Sequence, residues 1–185
     1  MSIRLPHFRI APGGYFASNS EVVISTILGS CVAVCLYDPF NKVAGMNHIM
    51  NSREDNRIGK PFCFEEDGKY GSCAMDLLIH EMIQQGALLK NMRAKVFGGA
   101  SLLKPYDACS LDYCIGDDNV QFATSYLKIN SIPVVSQAVG GDYGRVIRFY
   151  SSDFSVWVKQ IRKSLNPALI QKDNKAWDQL KQKGE

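Results

Sequence analysis

The stretch VVISTILGSCVAVCLY, residues 22–37, decides the fold of this chain. It is rich in β-branched and apolar residues on both sides of residues 28–30, a pattern typical of two buried strands joined by a tight bend. A turn signal follows, and residues 43–50 predict a strand that returns alongside the second of the two. This hairpin would place His48 next to the segment that carries Cys31.

The rest of the chain predicts a mixed α/β core. Apolar residues at helical spacing, ended by Gly86, predict a helix over residues 72–85, with His80 on its water-facing side. A second helix is expected over residues 115–127. Strands are expected over residues 94–97, 132–139, 145–150 and 154–161, the last two as a hairpin. We therefore expect mixed sheets flanked by helices.

Length and composition are those of an ordinary globular protein of one domain. The chain has 185 residues, of which 46% are hydrophobic and 21% charged, and it can bury a sizeable core. Residues 1–162 are expected to form this domain, because the composition then changes to Lys, Gln and Asn. In the polar tail, residues 163–185, a few apolar residues at helical spacing predict either a docking helix or one folded back on the domain.

Charge and hydropathy argue against two classes of protein. The net charge of +3 is spread along the chain, and no dense Lys/Arg run marks a nucleic-acid partner. No stretch approaches the roughly 18 apolar residues of a membrane span, and residues 2–12 lack the apolar region of an export signal. We expect a cytoplasmic protein without membrane insertion.

Six cysteines stand at positions 31, 35, 63, 73, 109 and 114. Reduced thiols are expected rather than a disulfide framework, because the chain is large enough for a core and shows no export signal. Cys35, Cys73 and Cys114 are expected to act as small buried hydrophobes. Cys31 differs, because a bend between apolar strands can expose one reactive atom beside backbone N–H groups.

Cys31 and His48 together offer the chemistry of amide hydrolysis. An imidazolium lowers the pKa of a neighbouring thiol from about 8.5 and so raises its thiolate fraction. The attacked carbonyl becomes an oxyanion, for which the backbone of Gly29 and Ser30 supplies candidate donors. Two other interpretations stay open on the residues alone. One is zinc ligation by Cys31, Cys35 and His48, and the other is a binding module without turnover.

The chain contains two diagnostic runs, TILGSCVAVCLYD at residues 26–38 and AGMNHIM at residues 44–50. Together they resemble the signature of the CheD family of chemoreceptor glutamine deamidases. Further motifs agree in order and spacing: GKYG at residues 68–71, AKVFGGA at residues 94–100, Ile115-Gly116 with Asn119, and Val139-Gly140-Gly141 with Gly144-Arg145. The similarity extends over roughly residues 10–159. The chain departs from the family pattern at Asn51-Ser52, where Leu-Pro is common, and at Ala138, where an acidic residue is common.

The resemblance implies an α/β fold related to bacterial toxin deamidases, with α/β/β/α layers, and activity as a protein-glutamine glutaminase. It implies that Cys31 is the nucleophile that forms a thioester, that His48 is its base, and that no metal or cofactor is needed. The family pairs the histidine with a hydroxyl six positions before the cysteine. That spacing favours Ser25 over Thr26, and strand alternation allows only one of them to face the imidazole.

The resemblance also implies two kinds of partner. These are the cytoplasmic parts of methyl-accepting chemotaxis receptors, as substrates, and a CheC-type phosphatase. The alternative function is a catalytically silent adaptor that binds the same partners. Retention of both Cys31 and His48 favours the enzyme.

Overall fold

The computed structural model describes residues 5–52, 71–101 and 115–161, which form nine strands and two α-helices. The helices are α1 (Gly71–Gln84) and α2 (Ile115–Ile129), and a short 3-10 turn covers Leu89–Asn91. The strands are β1 (His7–Arg9), β2 (Tyr15–Ser18), β3 (Val23–Leu28), β4 (Val32–Asp38), β5 (Val43–Asn47), β6 (Arg93–Gly98), β7 (Val134–Val139), β8 (Gly144–Tyr150) and β9 (Val156–Ile161). The predicted mixed α/β class is confirmed.

The strands form two mixed sheets. The four-stranded sheet has the order β1-β3-β8-β9, and the five-stranded sheet has the order β2-β5-β4-β6-β7. β1 runs parallel to β3 and β7 runs parallel to β6, whereas the other neighbours are antiparallel. The predicted bend between β3 and β4 is therefore the point where the chain passes from one sheet to the other.

The two sheets and the helices stack as layers around two apolar cores. One core lies between the five-stranded sheet and both helices, and includes Val34, Val96 and Leu78. The other lies between the sheets, and includes Leu28 and Phe149. The part of the chain that the structure describes thus supplies three layers, α/β/β, of the four expected. The predicted tail, residues 163–185, lies outside it.

Most predicted elements are confirmed within one to three residues of their ends. α1 stops just before Gly86, whose φ of +99° favours glycine, and His80 is exposed as expected. The β8–β9 hairpin is also confirmed. β1 and β2 are not predicted by the sequence, because three or four residues are too few to show an alternating pattern. Neither of the described α-helices combines the length and the apolar character needed to cross a bilayer.

Of the cysteines that the structure describes, Cys31 and Cys35 are free thiols and Cys73 is disulfide-bonded. Cys35 is buried between the sheets, as predicted, and this burial raises the pKa of its thiol far above the ordinary value, against a smaller lowering by the charge of Lys95. Cys73 is buried at the start of α1 but is disulfide-bonded, so the prediction of a reduced thiol there is wrong. The size of a chain sets only an average expectation for its cysteines and does not decide whether one particular pair is bonded. The predictions for Cys114, and the cysteines at positions 63 and 109, lie outside the described residues.

Asp38 organises the turn that returns β5 along β4. Its carboxylate accepts hydrogen bonds from the backbone N–H groups of Phe40, Asn41 and Leu88, at 2.9–3.1 Å, and from the Asn41 side chain at 2.7 Å. Burial alone raises the pKa of Asp38, but these hydrogen bonds outweigh it and lower the pKa from 3.8 to about 2. Ionised Asp38 therefore stabilises the fold above its unfolded pKa, and this contribution is lost as the pH falls through about 2.

Candidate active site

Cys31 and His48 lie on one face of the five-stranded sheet. Just beyond the regular β4–β5 pairing, Val32 and Ile49 exchange two backbone hydrogen bonds, of 3.0 and 2.7 Å. In this antiparallel register Ala33 lies opposite His48, and Cys31 is the next residue on the same face, a diagonal neighbour of the histidine. The predicted return of His48 alongside the Cys31 segment is confirmed.

The two candidate residues differ in their exposure to water. Cys31 is half-buried at the end of the bend and packs against the core between the sheets. His48, directly after the end of β5, is only 1% exposed, and by alternation it lies on the same side as Met46, which faces the four-stranded sheet. Cys31 is thus partly open to solvent, while the imidazole of His48 is shielded.

A hydroxyl of the opposite sheet contacts the imidazole. Thr26 lies on the face of β3 that builds the core between the sheets, and its Oγ1 is 2.7 Å from His48 Nδ1. Ser25 points to the other side of β3, where its Oγ lies 2.8 Å from His7 Nε2. The preference for Ser25 is therefore wrong. Strand alternation places the two hydroxyls on opposite faces of β3, and the packing of the five-stranded sheet onto the face of Thr26 decides which of them meets the imidazole.

The hydrogen bonds of Thr26 define the tautomer of His48. Thr26 Oγ1 donates its proton to the backbone carbonyl of Ile10, at 3.0 Å. A hydroxyl has one proton, so toward His48 Nδ1 the same oxygen must accept. Nδ1 of His48 therefore carries a hydrogen, and in the neutral ring Nε2 is the nitrogen that can take up a proton.

The backbone around Cys31 is held by the end of β6. The carbonyl of Gly29 accepts from Ala100 N at 2.9 Å, and the carbonyl of Cys31 accepts from Gly99 N at 2.8 Å. A Cβ on Gly98, whose φ is +107°, would overlap the Cys31 carbonyl oxygen. The close approach of the two backbones requires glycine there, which is a structural role. Gly29 and Ser30 lie in the bend just before Cys31, and their part in an oxyanion hole stays a prediction.

A buried arginine braces the glycine-rich loop after β7. Arg145 is 2% exposed and donates from Nη2 to the Gly140 carbonyl at 2.7 Å. Its guanidinium lies 4.5 Å from the centroid of the Tyr143 ring, and Gly140 N in turn donates to the Gly98 carbonyl at 2.9 Å. The loop is thereby tied to the strand end that holds Cys31.

Comparison with known proteins identifies the family of this chain. The family model for CheD, described as chemotactic sensory transduction, matches residues 53–160. A relative from Geobacter sulfurreducens, named probable chemoreceptor glutamine deamidase CheD 1, is 43% identical over 92% of this chain and 85% of its own length. This chain belongs to the CheD family.

Two further CheD relatives support the assignment. Probable chemoreceptor glutamine deamidase CheD 2 of Shewanella oneidensis is 42% identical over 80% of this chain and 73% of its own. A probable chemoreceptor glutamine deamidase CheD of Methylobacillus flagellatus is 34% identical over 94% of this chain and 83% of its own. The family model begins after Cys31 and His48, whereas the Geobacter alignment, at 92% of the chain, spans both.

The geometry of this CheD-family chain argues against a zinc site at Cys31, Cys35 and His48. Cys35 lies four residues from Cys31 along an extended strand, roughly 13 Å away, whereas zinc binds sulfur at about 2.3 Å. Within residues 5–52, 71–101 and 115–161, no group of three or more His, Cys, Asp or Glu is placed to hold a metal ion. The zinc interpretation is therefore not adopted.

Two buried asparagines, Asn47 and Asn119, contribute to the site, although the sequence predicted no role for either. Asn47 Oδ1 accepts from Val34 N at 3.0 Å, and its Nδ2 donates to the Ala74 carbonyl of α1, also at 3.0 Å. Asn119 of α2 contacts segments on both sides of the site. Asn119 appears in the sequence only as part of a family motif, because no local pattern tells a buried amide from an exposed one.

Proposed function

We propose that this chain hydrolyses glutamine side chains of chemoreceptors to glutamate and releases ammonia. The observation that carries the proposal is the cross-strand placement of Cys31 and His48, with Thr26 bonded to the imidazole, in a member of the CheD family. The relatives reported above are named chemoreceptor glutamine deamidases. A reachable thiol beside a shielded, oriented imidazole suits nucleophilic attack on an amide.

The proposed reaction proceeds in two steps. The Cys31 thiolate attacks the glutamine δ-carbon, a C–S bond forms, and the carbonyl oxygen becomes an oxyanion. His48 donates its Nε2 proton to the leaving nitrogen, the C–N bond breaks, ammonia departs and a thioester remains. Water then attacks the thioester while His48 Nε2 accepts a proton, and the C–S bond breaks. Glutamine and water have become glutamate and ammonia, and the thiolate is restored.

Mass spectrometry of receptor peptides tests the proposed activity. Incubation of the cytoplasmic part of a methyl-accepting receptor with the wild-type protein is expected to add about 1 Da for each converted glutamine, because NH₂ is replaced by OH. Ammonia should appear in the same amount. A receptor fragment in which the modified glutamines are replaced by asparagine is the matched control. Binding of the fragment without mass gain or ammonia would instead support the adaptor.

The partner and domain proposals rest on the resemblance and the sequence. They are the cytoplasmic part of chemotaxis receptors as substrate, a CheC-type phosphatase as a second partner, and residues 1–162 as the domain that performs the reaction. The family names of the relatives support the receptor as substrate class. The phosphatase is supported by the resemblance alone.

Thr26→Val is expected to lower kcat/KM by about 10- to 100-fold, whereas Ser25→Ala stays near wild type. Valine keeps the shape of threonine but cannot accept from His48 Nδ1, so the ring loses the partner that defines its tautomer and orientation. A group that orients the base contributes less than the base itself, roughly 1.4–2.8 kcal/mol of transition-state stabilisation. Steady-state ammonia release from a receptor peptide measures the effect.

Thr26→Ser is the matched control for this prediction. Serine retains the hydroxyl that bridges Ile10 and His48, so most of the activity should remain. A large loss in Ser25→Ala together with an active Thr26→Val would return the orienting role to Ser25.

A further inference from the structure

Asn119 joins the two segments that carry the candidate catalytic residues. It is 0% exposed, and its Nδ2 donates to the carbonyls of Ser30 and Met50, both at 3.1 Å. Its Oδ1 accepts from Ser52 N at 2.8 Å. The side-chain amide of Asn119 thus uses both of its donor hydrogens and its acceptor oxygen in hydrogen bonds to backbone atoms. One of these atoms belongs to the residue before Cys31, and the other two belong to residues shortly after His48.

We propose that Asn119 is a positioning residue that aims the backbone N–H of Cys31 at the oxyanion of the reaction. The inference rests on the proposed function and names a component of that same site. Ser30 C=O and Cys31 N–H belong to one peptide group, which is trans. In a trans peptide these two groups point in opposite directions, so a hydrogen bond to the Ser30 carbonyl determines where the Cys31 N–H points.

Asn119 affects the orientation of the Ser30–Cys31 peptide more than it affects the distance between Cys31 and His48. That spacing is set by the two backbone hydrogen bonds between Val32 and Ile49, which Asn119 does not touch. The Ser30–Cys31 peptide lies before this ladder, in the passage from one sheet to the other. Its orientation therefore needs a partner from a different element, and α2 supplies it.

α2 is itself placed firmly against the site. A Cβ on Gly116, in the first turn of α2, would come within 2.5 Å of the Gly99 carbonyl oxygen, so the helix contacts the end of β6 at backbone distance. Gly99 N in turn donates to the Cys31 carbonyl. Asn119, one turn along the helix, is thus held relative to the peptide that it orients. This rigidity is what a preorganised oxyanion donor requires.

The test compares Asn119→Asp and Asn119→Ala with Asn130→Asp, a control at the other end of α2 whose side chain donates to a single carbonyl at 2.9 Å. Aspartate can still accept from Ser52 N but presents a carboxylate to two carbonyl oxygens, and alanine makes none of the bonds. In both Asn119 variants kcat should fall about 10- to 100-fold, approaching the cost of removing one oxyanion donor, with little change in KM. Asn130→Asp should stay near wild type.

Alkylation of Cys31 by iodoacetamide separates this role from an effect on the Cys31–His48 pair. Alkylation forms no oxyanion, so its rate and pH profile should be unchanged in folded Asn119→Ala, which adds no charge near the thiol. A kcat within about 3-fold of wild type, or a loss of alkylation parallel to the loss of kcat, would overturn the inference. An inactive wild-type protein would refute the proposed function, whereas active Asn119 variants refute only this inference.

A measurement on the wild-type protein covers the case in which both Asn119 variants fail to fold. A receptor peptide whose glutamine side chain ends in an aldehyde should add to the Cys31 thiol and place an oxyanion in the site. The Cys31 backbone amide proton should then move downfield in the NMR spectrum, because it donates to that oxyanion. An unmoved resonance upon adduct formation would overturn the inference.

Discussion

Cys31→Ala is expected to abolish ammonia release from a receptor peptide, by at least about 10³-fold, while the protein stays folded. The variant removes the sulfur that forms the thioester, and no other group in the described site replaces it. Folding should survive, because the bend is held by backbone bonds to the carbonyls of Gly29 and Cys31, which do not involve the thiol. Ammonia release and the thermal unfolding midpoint are the two measurements.

Cys35→Ala is the matched control for this prediction. Cys35 lies on the same face of β4 but is buried between the sheets, and burial raises the pKa of its thiol far above the ordinary value. It should lose about 1 kcal/mol of stability, from the space left by the sulfur, and keep its activity. An active Cys31→Ala variant with an inactive Cys35→Ala variant would show that the nucleophile is misassigned.

His48→Ala is expected to lower kcat/KM by about 10²- to 10⁴-fold, the range of general acid–base contributions. Without the imidazole, no group holds the proton that the leaving nitrogen needs. The positive ring also favours the thiolate, so in the variant alkylation of Cys31 should require a higher pH, near the range of an ordinary thiol at about 8.5. Ammonia release and the iodoacetamide rate as a function of pH report the two effects separately.

His80→Ala is the control for the loss of a histidine as such. His80 is exposed on α1, and its replacement should leave both activity and the alkylation profile unchanged. Because His48 is buried, each variant must be compared at equal folded fraction. An alkylation profile in His48→Ala that coincides with wild type would remove His48 from the pair.

The sequence predicts those parts of the site whose residues lie close together along the chain. β4, the turn at Asp38 and β5 follow one another within sixteen residues, and their apolar runs and turn residues specify an antiparallel hairpin. The register of that hairpin brings His48 back beside the Cys31 segment, as the sequence predicted. The helices α1 and α2 are equally local, because their apolar stripes consist of residues three or four positions apart in the sequence.

The sequence pattern does not predict which residues the long-range contacts of the site bring together. Asn119 reaches the Ser30 carbonyl across 89 residues, and Arg145 reaches the Gly98 carbonyl across 47, at 3.5 Å. A buried polar side chain finds its partners only after the layers have assembled. These hydrogen bonds contribute to stability only once the layers have assembled, because a donor that is buried without an acceptor costs free energy.

The sequence by itself therefore determined the hairpin that pairs β4 with β5, the two residues that offer amide chemistry, and most elements of this chain, though not β1 and β2. Only the tertiary structure decided that the bend before Cys31 carries the chain between two sheets, and that Thr26 instead of Ser25 meets His48. The physical reason is that alternation along β3 defines two faces but not which one is covered. The packing of the second sheet onto one of them makes that choice.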